Sequence, residues 1–144
     1  MKLIASDCLK SGLLSGKSAW ITGGGSGLGR AMALRFAELG CKVAVSGRRE
    51  EPLLETVRTI EGAGGEAAHA PCDVRDPKGV ESALAAVLSK LGGLDILVNN
   101  AAGNFLCPSE ELSPNGFASV VGIVLHGTFQ RKQIPTKITN KFFI

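Results

Sequence analysis

Residues Ser18–Gly29 read SAWITGGGSGLG, and this stretch decides the fold. A short apolar run, Ser18–Thr22, passes directly into a cluster of glycines and then into a helical pattern. Glycines in such a turn permit positive φ and bring the backbone close to a pyrophosphate with no Cβ in the way. Another lets the helix pack tightly on the strand. The helix N-terminus adds unpaired N–H groups and a partial positive charge. A glycine-rich turn alone is a weak signal, because a tight β–α connection needs glycine without any ligand. Its position between the first strand and first helix of an alternating chain points to a dinucleotide.

The alternation extends outward from this stretch. Gly27–Leu39 has helical periodicity, with Leu28, Met32, Phe36 and Leu39, joined by Ala31 and Leu34, as the expected inward face and Gly40 as C-cap. Lys42–Ser46 reads as a second strand. Leu53, Leu54, Val57 and Ile60 mark a second helix, and Glu66–Cys72 is a weak third strand. Asp76 followed by Pro77 is an N-cap and first helical residue. The helix they open carries Val80, Ala83, Leu84, Val87, Leu88 and Leu91, and Gly92 stops it. Leu94–Val98 is a fourth strand, and Ser113-Pro114 opens a last helix through about Leu125–Phe129. The order βαβαβαβα implies a parallel sheet with helices on both faces and right-handed crossovers. The helical pattern fades near Gln130, and Pro135 interrupts it further.

Composition excludes several classes. With 144 residues, 44% hydrophobic and 20% charged, the chain suits one globular domain rather than a disordered segment. No apolar run reaches the ~18–20 residues of a membrane helix. The opening MKLIASDCLKSG is too short in apolar length for a secretory signal, and no C-terminal peroxisomal signal is seen, so a cytoplasmic location is expected. Net charge is +3, but four basic residues and no acid lie between Gln130 and Ile144. The first 129 residues carry 12 basic groups against all 13 acids, so the body is close to neutral and no nucleic-acid partner is expected. Cys8, Cys41, Cys72 and Cys107 stand singly, which argues for small buried hydrophobes and against a metal site. There is no tyrosine, so this chain by itself has no phenol for proton transfer.

The end of the second strand bears on which dinucleotide is held. A site for NAD usually places an acid there to bind the ribose 2′-hydroxyl. This chain has Ser46-Gly47-Arg48-Arg49. A guanidinium suits a 2′-phosphate by charge and by bidentate geometry, which favours NADP(H), with Arg48 the better placed. The competing reading is a solvated arginine pair balanced by Glu50 and Glu51.

Three motifs in order resemble the short-chain dehydrogenase/reductase family. Thr22–Gly29 fits its T-G-x-x-x-G-x-G loop, Cys72-Asp73-Val74 its Asp-Val after strand three, and Asn99-Asn100-Ala101-Ala102-Gly103 its N-N-A-G turn after strand four. The resemblance implies a Rossmann-like, doubly wound parallel sheet of strand order 3-2-1-4. It implies cofactor contacts from Thr22, Gly23, Gly24, Gly25, Ser26, Gly27, Leu28, Gly29, Ser46, Arg48, Asp73, Val74, Asn99, Ala101 and Gly103. It covers residues 14–129, leaving 1–13 as an N-terminal extension and 130–144 as a basic tail outside the family pattern. Asp73-Val74-Arg75-Asp76, Asn99–Phe105 and Leu112-Ser113-Pro114-Asn115 look like the 2,4-dienoyl-CoA reductase branch, in which NADPH gives hydride to an unsaturated acyl-CoA thioester. By that similarity Arg75, Phe105 and Ser113 face the substrate, and Asn104 hydrogen-bonds the thioester carbonyl. Simpler roles compete: Arg75 pairing with Asp76, Phe105 packing, and Ser113 capping a helix. A reductase of 3-oxoacyl thioesters, a dinucleotide-binding module without turnover, and a poorly folding product are the alternative readings.

The chain also departs from the family pattern. The family's Tyr-x-x-x-Lys aligns beyond Ile144, so the C-terminal half of the fold is expected to be absent from these residues. Val124 stands where many members carry a catalytic Asn, and His126 is expected on a helix surface. The fourth strand is expected to be an open apolar edge, and the last helix to lose much of its cover. The full-length family implies a homo-oligomer.

Overall fold

The structure, a computed structural model, describes residues 9–103, 106–132 and 142–143. Its elements alternate: β1 (Ser18–Thr22), α1 (Gly27–Glu38), β2 (Lys42–Ser46), α2 (Glu50–Gly62), β3 (Ala67–His69), α3 (Pro77–Leu91) and β4 (Ile96–Val98). A single 3₁₀ turn (Ser109–Glu111) precedes α4 (Pro114–Val121). The helix then widens into a π-turn (Gly122–His126) and continues as α5 (Gly127–Lys132). A two-residue strand, β5 (Phe142–Phe143), ends the described chain.

All strand pairs are parallel, in the order β3-β2-β1-β4-β5. The 3-2-1-4 order of a Rossmann-like sheet is therefore present. The fourth strand is not an open edge, however. Ile96 and Leu97 align with Phe142 and Phe143, so backbone from the tail takes up the pairing.

Because β1 and β2 are central and parallel, both their faces are buried, and every residue of β1 is inaccessible or nearly so. Period-two alternation splits them between two cores. Ala19, Ile21, Val43 and Val45 join Leu53, Val57 and Ile60 of α2 and Ala33 of α1 on one face. Trp20, Ala44 and Leu97 join Val80, Leu84, Val87 and Leu91 of α3 on the other. The Trp20 indole N–H donates to Ser46 Oγ at 3.0 Å, so its one polar atom is satisfied inside the core.

The inward face of α1 holds Met32, Leu34, Phe36 and Leu39 as expected, but not Leu28 or Ala31. Leu28 is 78% exposed and Ala31 is also exposed, whereas Gly29 and Ala33 are buried. A Cβ on Gly29 would strike the Gly23 carbonyl, so the helix can lie this close to its own turn only with glycine there. That contact sets the rotation of α1 and turns Leu28 outward. Met32, Phe36 and Ala37 then pack against the core.

The start and stop of α3 follow local chemistry. Asp76 accepts from the Lys78 backbone N–H at 3.1 Å, Pro77 occupies the first turn, and Gly92 closes the helix at φ +77°. Cys41 and Cys72 are buried, and burial followed by the Asp95 charge pushes the Cys41 thiol up to about 12. Cys8 lies outside the described residues.

Candidate functional site

A cleft of about 310 Å³ opens at the carboxyl ends of β1, β2 and β4, where ligands bind in open α/β sheets. Gly23, Gly25 and Ser26 of the first turn, Arg48 after β2, Asp73, Val74 and Arg75 before α3, and Ala101 after β4 all line it. Four separate stretches singled out in the sequence thus converge on one cavity.

The glycine turn is held rigidly. Gly23 has φ +69°, a conformation that favours glycine, and a Cβ there would sit 2.9 Å from Asn100 Nδ2 and 3.2 Å from Ala101 Cα. The Gly23 and Gly24 N–H groups donate to the Ser46 carbonyl at 2.7 and 3.2 Å. The Thr56 hydroxyl donates to the Gly24 carbonyl at 3.1 Å, tying α2 to the turn. Beyond it, α1 begins at Gly27 with no acidic residue in its first turn and no side chain capping it. Its first N–H groups have no intrahelical partner. A pyrophosphate fits this arrangement, since nothing negative opposes it and glycine leaves the approach open.

Thr22 and Ser46 contribute from beneath the cleft. Thr22 is fully buried, and its hydroxyl accepts the Asn100 and Ala101 N–H groups at 3.1 and 3.0 Å while donating to the Val98 carbonyl. The Asn100 amide donates back to the Thr22 carbonyl at 2.9 Å. One threonine therefore locks the first turn to the loop after β4. Ser46 is fully buried, with its hydroxyl on Trp20 and its carbonyl on the turn. Gly24, Gly27, Leu28, Gly29, Asn99 and Gly103 flank the cleft without lining it.

At the far end of the cleft the charges are arranged unevenly. Arg48 is exposed and makes no ion pair among the described residues. Glu50 instead contacts His69 Nε2 at 3.2 Å and Glu51 pairs with Arg58 at 3.7 Å, and neither forms an ion pair with Arg48. Arg75 pairs with Asp73 rather than Asp76. Its Nε donates to Oδ1 and Oδ2 at 3.0 and 3.1 Å, its Nη2 to Oδ2 at 2.5 Å, and its backbone N–H to Oδ1 at 3.0 Å. The Arg75 hydrogen bonds hold the Asp73 carboxyl below its ordinary value against some burial, and the Arg48 charge adds to this. The same pairing raises Arg75.

The substrate-facing residues separate. Arg75 lines the cleft, whereas Ser113 lies outside it and caps α4, its Oγ accepting the Gly116 N–H at 3.1 Å. Asn104 and Phe105 lie outside the described residues. Val124 and His126 are exposed on the π-turn. Lining residues outside the expected contacts include Arg49, Asn100, Ala102 and Ile123. The first three sit inside or beside the motifs. Ile123 comes from the last helix, which meets the rest through small residues. Its side chain lies over Gly103, where a Cβ would sit 2.6 Å from Ile123 Cδ1, and Gly127 is buried against Val74.

Residues 17–137 match the family model described as short chain dehydrogenase. A probable 2,4-dienoyl-CoA reductase, (2E)-enoyl-CoA-producing, from Bacillus subtilis (strain 168) is 48% identical over 113 residues, covering 78% of this chain and 44% of the relative. The crystal structure of a short chain dehydrogenase from Bacillus anthracis superposes with a TM-score of 0.76 at 46% identity, covering 81% of this chain and 48% of that one. An actinorhodin polyketide ketoreductase variant, solved with NADPH, superposes with a TM-score of 0.77 at 36% identity, covering 81% of this chain and 45% of that one. The chain spans less than half the length of each of the three.

Proposed function

The chain belongs to the short chain dehydrogenase family, and from that premise we propose that its cleft holds NADP(H) for reduction of an unsaturated acyl-CoA thioester. The observation that carries the cofactor choice is Arg48, which stands at the cleft with no ion pair among the described residues. A guanidinium with no ion-pair partner beside the second strand suits a 2′-phosphate, and the neighbouring Glu50 and Glu51 point to His69 and Arg58 rather than to it.

Bound NADPH supplies the hydride. The chain's own groups bind and orient. The turn Gly23–Ser26 and the start of α1 take the pyrophosphate, Asp73 and Val74 the adenine, and the Asn99–Gly103 loop closes over the cofactor. Thr22, Gly27, Leu28, Gly29 and Ser46 shape or support that cradle. The dienoyl-CoA substrate class rests on the curated relative and on the Asn99–Phe105 motif. Asn104 would donate to the thioester carbonyl as negative charge develops there. Arg75, Phe105 and Ser113 would meet the acyl-CoA, and Arg75 has Nη1 to spare beyond its bonds to Asp73.

The 144 residues contain no tyrosine, so this chain alone binds cofactor without turnover, and the full-length family member is the active homo-oligomer. No helix among the described residues is long and apolar enough to cross a membrane. We read the protein as cytoplasmic, without nucleic-acid or membrane partners.

Titrating the purified chain with NADPH and with NADH, followed by Trp20 fluorescence, tests the cofactor. Tighter binding of NADPH is expected, and equal affinity would remove the Arg48 argument. Mixing the chain with NADPH and a dienoyl-CoA should leave cofactor absorbance unchanged. Robust oxidation would contradict the role assigned to the missing phenol.

A further inference from the structure

We propose that Arg75 is a positioning residue for cofactor choice: by clamping Asp73 through both carboxylate oxygens, it screens that charge from a 2′-phosphate bound at Arg48. The inference rests on the NADP(H) reading above and deepens it.

The cleft presents a conflict. A site for a 2′-phosphate gains from positive charge, yet Asp73 lines the same cavity as Arg48. Asp73 and Arg48 already sense one another, since the Arg48 charge helps to keep Asp73 ionised. A bare carboxylate there would repel a phosphate ester and draw on the charge of Arg48. Arg75 removes most of that field by contacts from Nε, Nη2 and its own backbone N–H.

The pair does little for the fold. Both side chains are substantially exposed, at 44% and 30%, and they sit two residues apart in a loop. Exposed pairs of this kind contribute little to stability. The geometry is that of a planar fork closing on a carboxylate, which a single ammonium does not reproduce. Clamping both Asp73 oxygens limits the charge it presents to the cleft.

The test is the ratio of NADPH to NADH affinity, measured by fluorescence titration of the full 144-residue chain. Arg75→Gln should lower the ratio about five- to tenfold, the scale of an unneutralised charge acting on a phosphate at an exposed site. The effect should shrink with added salt. Arg75→Lys should recover part of it. Asp73→Asn combined with Arg75→Gln should restore the wild-type ratio, because no carboxylate then needs screening. A purely structural Arg75 would weaken both dinucleotides equally, and that result, or a double variant that fails to recover, overturns the proposal. Arg48→Gln separates the two levels. If it leaves the ratio unchanged, the 2′-phosphate reading itself fails. If it abolishes the preference while Arg75→Gln does not change it, only the role of Arg75 fails.

Discussion

The two ends of the chain are built by opposite means. From Ser18 to Ser46 nearly every strand residue is buried on both faces, and the turn between β1 and α1 is pinned from three sides by Ser46, Thr56 and Asn100. From Pro114 to Val121 no residue is buried, and Phe117, Leu125 and Phe129 are more than half exposed. Regular helical periodicity is present in both regions. The difference is that α1 lies on a sheet that continues past it on either side, whereas the described contacts of the last helix with the rest of the molecule are few, among them Ile123 of the π-turn on Gly103 and Gly127 on Val74. Helical pattern specifies a helix, and only a facing layer turns that pattern into stability.

The largest effect that sharpens this contrast is expected from paired truncations. Trp20→Ala should destabilise the chain by about 3–5 kcal/mol, because it opens a cavity in the α3-side core and orphans Ser46. Phe117→Ala should change stability by no more than about 0.5 kcal/mol. Urea midpoints followed by circular dichroism measure both. Similar losses at the two positions would mean that the last helix is covered as well as the sheet.

A smaller effect is expected at the junction of the two regions. Thr22→Val keeps the shape but leaves the Asn100 and Ala101 N–H groups without their acceptor, at a cost of about 1–3 kcal/mol. Hydrogen exchange at Asn100 and Ala101 should rise in this variant more than at Val80–Leu91. Uniform acceleration would deny Thr22 a local role.

The smallest effect depends on pH. Asp95 is partly buried, which opposes ionisation, but the Ser18 N–H, Lys17 Nζ and the Ser18 hydroxyl together hold its carboxyl below the ordinary 3.8. Its pairing therefore stabilises the fold above the unfolded value and is lost as pH falls through the lower folded value. The melting-temperature gap between wild type and Asp95→Asn should be full above roughly pH 5 and close on acidification. A gap that widens in acid would reverse the sign assigned to this group.

Much of this was legible in the residues. The bounds of β1 and β2, the Asp76-Pro77 start and Gly92 stop of α3, and the Ser113 cap depend on local chemistry, which a sequence carries directly. The four stretches that meet at the cleft were visible as motifs because each sits at the end of a strand. What escaped depended on contacts between distant residues. Leu28 faces outward because Gly29 presses on the Gly23 carbonyl, and no periodicity of α1 encodes that rotation. Arg75 pairs with Asp73, while Asp76 serves as the cap of the following helix. Strand β5 pairs with β4 from a tail whose composition carried no strand pattern.

The glycine turn and the Asp73 loop are expected to cradle a dinucleotide, whereas α4 (Pro114–Val121) lines no part of the cleft. Amide hydrogen exchange of the whole chain with and without NADPH tests this most directly. The account predicts new protection at residues 23–29 and 72–75, with 114–121 unchanged. Protection confined to 114–121, or none anywhere at saturating NADPH, would contradict it.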